Sequence, residues 1–138
     1  MTPRTSFCLA IPVLLAAATR GYPADIVYTK SGLINTGQVL RVEADGIFLQ
    51  LPVGELKVFK ADIARIEIEK PAGYETALAA LKTRNFAKAA SDLKSIVDRY
   101  AGLAVPWVQE AMLQLGDAYL GLHDFAAGKK TFDDFARL

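Results

Sequence analysis

Few residues of this chain have the type and spacing to do chemistry. The one histidine, His123, could serve as a general base if a carboxylate oriented it inside a cleft. Asp117 and Asp124 are its neighbours in sequence only. His123 falls in Leu122-His123-Asp124, a break between two apolar periodicities, and reads as a solvated turn residue. Asp133-Asp134 has the composition of a carboxylate pair. Successive helical residues point about 100° apart, however, and these two border an apolar stripe, so they read as the polar edge of an amphipathic helix. One His and one Cys are too few for a metal site built from soft ligands. Trp107 follows Pro106 at a helix start, as a packing lid rather than a ring offered to a ligand. No glycine-rich phosphate loop, nucleophile elbow or zinc spacing occurs. No catalytic, cofactor-binding or metal-binding residue is assigned, no small-molecule substrate is indicated, and the chain is not expected to be an enzyme.

The elements that would position such residues are clearest at the C-terminal end. Ala111, Leu115, Ala118, Tyr119 and Leu122 follow the rhythm of a helix buried on one face. Asp124 is placed as an N-cap. A second stripe then runs through Phe125, Gly128, Phe132 and Phe135. Two amphipathic helices joined by so short a turn must pack antiparallel. Gly116 and Gly128 leave room for close backbone approach, although Gly128 weakens its helix by roughly 1 kcal/mol against alanine. Upstream, Ala77, Leu81, Phe86, Ala89, Leu93 and Ile96 repeat the same logic with Asn85 as the cap. Phe86 and Phe125 stand 39 residues apart, so the hairpin is expected twice. The five residues Ala101–Val105 lengthen the connection, and Pro106 suits the first turn of the next helix.

Leu115, Gly116, Tyr119, Phe125, Gly128 and Phe132 fall on the positions of the tetratricopeptide repeat (TPR) signature, which the segment resembles; the typical period of that repeat is about 34. Tyr74, Ala77, Leu81, Phe86, Ala89 and the closing Asp98-Arg99-Tyr100 resemble the opening repeat of bacterial envelope proteins of the BamD and YbgF (CpoB) type. Ala101 stands where a proline usually follows in that family. The resemblance covers residues 74–138 and implies an α-α superhelix whose concave face binds protein partners. By the register of the repeat, Tyr74, Leu78, Leu113, Asp117 and Leu120 would line that face. An apolar strip of this kind suits a hydrophobic helix or an extended segment. Repeat arrays commonly need about three units or a polar cap. Only two are visible here, so the terminal helix is expected to be covered by another subunit or continued by further repeats in a longer parent chain.

The N-terminal part has a different character. Residues 1–24 read as a secretory signal peptide: Arg4 is the positive flank, Phe7 to Ala18 the apolar run, and Ala16-Ala17-Ala18 the cleavage site, with an alternative cut after Ala24. The run is about twelve residues, against the roughly 20 a spanning helix needs. Cys8 lies at its start and would leave with it. Residues 25–70 alternate with period two and turn at Ser31-Gly32, Ala44-Asp45-Gly46 and Pro52-Val53-Gly54. That spacing predicts a small five-stranded antiparallel β-barrel, with Gly37 allowing a sharp bend in the second strand. The layout resembles an Sm-like or SH3-like barrel. Sm-like barrels often bind RNA, but the places of their RNA motifs read Ala44-Asp45-Gly46-Ile47 and Lys60-Ala61-Asp62-Ile63, which lack them. A net charge of +1 supplies no long-range field for nucleic acid or anionic membrane.

The sequence therefore predicts an α+β protein: signal peptide 1–24, β-barrel 25–70, and two TPR-like hairpins over 71–138. It is expected to be exported to the periplasm or envelope, where it acts as a protein–protein interaction scaffold or adaptor. The alternative is a self-assembling structural subunit, joined through its C-terminal helix. An Sm-like nucleic-acid binder is a minor third reading.

Overall fold

The computed structural model describes residues 24–138, and the expected cleavable segment lies outside the described residues except for Ala24. Five strands come first: β1 (Asp25–Thr29), β2 (Ile34–Val42), β3 (Gly46–Leu51), β4 (Gly54–Phe59) and β5 (Ile63–Glu67). Four helices follow: α1 (Ala72–Lys82), α2 (Phe86–Tyr100), α3 (Pro106–Gly121) and α4 (Phe125–Phe135). The class is α+β. No helix among the described residues is long and apolar enough to cross a membrane.

The sheet is antiparallel, in the order β4-β3-β2-β1-β5. β2 belongs to both halves. Its first residues, Ile34 to Gly37, pair with β1, and Gln38 to Val42 pair with β3. Gly37 sits at the handover because β3 passes very close: a Cβ there would lie 2.5 Å from the Gln50 carbonyl oxygen. The bulge itself comes later, at Leu40, which is skipped between the Val39–Leu49 and Arg41–Phe48 pairs. A second shift leaves Ala64 unpaired in β5. Bulges bend and twist the strand that carries them.

The sheet is nevertheless not closed into the expected barrel. β4 and β5 are the two ends of the strand order and do not pair with each other. A three-residue turn of 3-10 helix, Lys60–Asp62, joins them, and its backbone is tied in opposite directions. The Lys60 N–H donates to Asp45 O at one side of the sheet, while Lys30 N–H donates to Asp62 O at the other. The link therefore carries the chain across to β1 instead of folding it back along β4. An open cavity of about 260 Å³ remains between the β1–β2 turn and β4.

Alternation places Val27, Val39, Ile47, Leu49 and Val58 on the inner face, all buried. The helices continue the same core. Tyr74, Tyr100 and Trp107 form an aromatic cluster, with Trp107 5.8 Å from the Tyr74 ring and 5.2 Å from Tyr100. Trp107 Nε1 donates to Ile68 O at 3.1 Å, which fixes the segment joining sheet to helices. Gly102, at φ +89, lies in the α2–α3 connection beside β2: a Cβ there would stand 3.5 Å from Val42 Cγ1. Within that connection Leu103 is buried, so the five residues of Ala101–Val105 are an anchor as well as a spacer.

Both helical turns are built alike. Arg84 and His123 both adopt φ 59, a left-handed conformation suited to a helix end. Asn85 and Asp124 then cap α2 and α4, accepting from the N–H groups of Lys88 and Ala127. The N–H groups of the two capping residues themselves reach back to Ala80 O (2.8 Å) and Tyr119 O (2.9 Å). The duplication expected from the Phe86–Phe125 spacing is thus repeated in the hydrogen bonds of the turns.

Candidate interaction surface

The five residues expected to line a partner-binding face divide on inspection. Leu113, Asp117 and Leu120 lie exposed along one side of α3, and Leu78 is half-buried against the core. Tyr74 is not at the surface: it is fully buried. Its hydroxyl donates to Gln114 Oε1 at 3.1 Å and its ring meets Trp107. Both partners belong to α3, so α3 sits on the side of α1 that was expected to face a partner. Burial pushes the Tyr74 phenol above its ordinary range. With Tyr74 withdrawn, the apolar surface moves to the end of the helical part: Leu113 and Leu120 on α3, then Leu122 and Phe125 at the α3–α4 turn, all exposed.

Small residues set the distances beneath this surface. A Cβ on Gly116 would fall inside 3.0 Å of ring atoms of Phe132, which is how α3 and α4 come together. Gly121 does the same work between hairpins and was not singled out from the sequence. A Cβ there would lie 2.5 Å from Phe86 Cδ1 and Cγ. The signal was weak, because a glycine in the last turn of a helix reads first as a stop.

A groove of about 470 Å³ runs on the other side of α3, floored by Met112, Leu115, Tyr119 and Val97. Its rim carries Lys94–Asp98 and Lys130–Asp134, each cation paired with a carboxylate four residues on. The Lys130 contact holds the Asp134 carboxyl below its usual range. Asp133 pairs separately with Lys129, so the two adjacent aspartates serve two different lysines. His123 is exposed in its turn, edge-on to Phe125 at 6.0 Å, and Asp124 is committed to capping α4. Among the described residues no group of three or more His, Cys, Asp or Glu side chains is placed to hold a metal.

The sheet brings cations over aromatic rings, a pattern not apparent from linear spacing. Arg41 lies 3.7 Å above Phe48 and Arg65 4.2 Å above Tyr28. Each is also paired with acid: Arg41 with Glu43 and Glu55, Arg65 with Glu67. These guanidiniums are therefore already neutralised where a nucleic-acid backbone would need them free. Among the described residues the buried acidic group is Asp25, whose Oδ2 accepts from Val39 N–H at 2.8 Å. Desolvation raises its pKa, opposed by that hydrogen bond and by Arg99, and assisted by Glu69. Its place at the start of β1, bonded to β2, makes it a register pin.

No protein-family model matches the chain, and no curated protein or solved structure is detectably similar to it.

Proposed function

We propose that this chain is a protein-interaction module of the bacterial cell envelope, exported by its N-terminal segment and acting as a scaffold or adaptor. Its two helical hairpins are read as tetratricopeptide-like repeats, similar to those of the envelope families named above. The observation that carries this reading is the exposure of Leu113, Leu120, Leu122 and Phe125 on α3 and the turn after it, at the end of a pair of packed hairpins. Large exposed apolar side chains gathered on one helix and the turn that follows it are where an interaction site is sought first. Within it His123 stands edge-on to Phe125 and Asp124 is committed to capping α4, so apolar side chains are the main thing this surface offers a partner. The sheet, sharing its core with the helices, serves as the platform that holds α2 in place.

The test is a crosslinked pull-down from the envelope fraction, run with the wild-type chain and with Leu120→Asp/Phe125→Asp. A protein partner recovered by the first and lost by the second is the expected result. Recovery unchanged by the double substitution would overturn the reading. Export is tested separately by mass spectrometry of the protein from its native cell, with cleavage after Ala18 or Ala24 expected. A cytosolic chain beginning at Met1 would remove the envelope role.

A further inference from the structure

The sheet has two edges, and one of them is complementary to itself. β4 pairs only with β3, so one side of its backbone has no strand beside it among the described residues. The Lys60 N–H donates to Asp45 O, just outside the Gly46–Phe59 partners. Antiparallel alternation then commits Leu56 and Val58 to β3 and turns the N–H and C=O groups of Glu55 and Lys57 outward. The cavity between the β1–β2 turn and β4 is lined by Leu56, Lys57, Val58 and Phe59, so this side of the strand borders open space. Such an edge is a template for another strand. β5, the opposite edge, is placed differently. Its charges Arg65 and Glu67 pair with each other, and Trp107 donates to the carbonyl of Ile68 just beyond it.

We propose that β4 pairs with β4 of a second copy of the chain, antiparallel about a two-fold axis at Leu56, joining two sheets into one. The register follows from charge. Along the middle of the strand the outward groups belong to Glu55 and Lys57, so these must stand opposite one another or opposite themselves. Sliding the register one way sets Glu55 against Glu55, and the other way Lys57 against Lys57; like charges directly opposite destabilise a strand pair. Glu55 opposite Lys57 of the second copy brings opposite charges together, and the two-fold axis makes that contact twice. Each such pair exchanges both of its N–H···O bonds. The side chains have capacity to spare. Arg41 occupies Glu55 Oε1, and Asp45 takes a donor of Lys57 Nζ, which leaves Glu55 Oε2 and further ammonium donors. The same register brings Val53 opposite Phe59 of the second copy. In the single chain these two are 94% and 50% exposed. A foreign strand would have to supply this order of charged and apolar residues, and a second copy already carries it. An edge of six residues makes a small interface, so the dimer forms and dissociates with concentration. It leaves the exposed end of the second hairpin free.

Sedimentation velocity of the full chain over a concentration series is expected to show a monomer–dimer equilibrium. Glu55→Lys and Lys57→Glu should each weaken it at least tenfold, because each sets like charges at both contacts. Mixing the two variants in equal amounts should restore a dimer, because every lysine of one then stands opposite a glutamate of the other. Loss of pairing with Arg41 or Asp45 inside each chain is the same alone and mixed, so it does not produce this pattern. Amide exchange gives a reading without substitution. The Glu55 and Lys57 N–H groups should gain protection as concentration rises, while those of Leu56 and Val58 should not change. Arg65→Glu on β5 and Phe125→Asp at the helical end should leave association unchanged. A concentration-independent monomer overturns the proposal, as do a mixture that associates no better than its parts and amides of Glu55 and Lys57 indifferent to concentration. So do assemblies larger than a dimer, and dissociation by Arg65→Glu or Phe125→Asp, which would place the contact on β5 or on the second hairpin.

Discussion

Replacing Gly116 by alanine adds one methyl group at the crossing of α3 and α4, and the structure says what it meets. The new Cβ would stand 2.5 Å from Phe132 Cε1 and 3.0 Å from Cε2, where ordinary carbon contacts begin near 3.5 Å. The ring must retreat by about 1 Å, and it is half-buried where α4 crosses Gly116. Helix propensity favours the alanine by about 1 kcal/mol; overpacking costs typically about 1–3 kcal/mol. Gly128→Ala is the internal control. Its Cβ would meet Leu120 Cδ2 at 3.2 Å and Gly116 O at 3.5 Å, and Leu120 is an exposed side chain free to swing. There the propensity gain should survive. Gly128→Ala is thus expected to be neutral to about 1 kcal/mol more stable, and Gly116→Ala to be destabilised by up to about 2 kcal/mol. Urea unfolding followed by Trp107 fluorescence and far-UV circular dichroism resolves such differences, and thermal midpoints should separate by about 3–6 °C per kcal/mol. Phe132→Leu should relieve the clash, giving a coupling of at least about 0.5 kcal/mol in the double-mutant cycle. If Gly116→Ala proves as stable as Gly128→Ala, or the cycle shows no coupling, the close-approach account of this crossing is wrong.

Gly121→Leu should destabilise the chain by about 1–3 kcal/mol through Phe86, and Phe86→Ala in the same chain should recover part of the loss; equilibrium unfolding of the double mutant checks this. Trp107→Phe removes the hydrogen bond to Ile68 O and is expected to cost about 1–2 kcal/mol; because sheet and helices share one core, the β and helical signals should still fall in one transition, and two separated transitions would refute the shared core. Asp25→Asn tests linkage. The folded pKa of Asp25 is raised, so its contribution is fully present below the unfolded value near 3.8 and is lost as pH rises through the folded one. The stability of Asp25→Asn relative to wild type should therefore improve between pH 3 and pH 7, and a constant or declining difference would contradict the assignment.

The helical half was legible because its signals are local. Asn85 and Asp124 announce their caps, the glycines announce close crossings, and Phe86 with Phe125 gives the period. The five strands were legible for the same reason, since period-two alternation needs no knowledge of partners. Closure is different. Whether β4 meets β5 depends on where the backbone of Lys60–Asp62 finds its hydrogen bonds, on Asp45 and Lys30, and neither alternation nor turn residues encode that. Tyr74 failed in a related way. Its place in the repeat pattern is a surface place only until another helix arrives, and what arrives is α3 with Trp107 and Gln114. Phe135, the last residue of the second apolar stripe, is half-buried against the common core.

The most direct measurement is site-specific photo-crosslinking in the native cell, with the reactive group placed at Leu120 and, as the control, at Thr76 on the polar side of α1. A single foreign protein joined at Leu120 and absent at Thr76 is the predicted result. Equal labelling at both positions, or no foreign adduct at Leu120, would contradict the claim that the exposed end of the second hairpin is where this chain meets its partner.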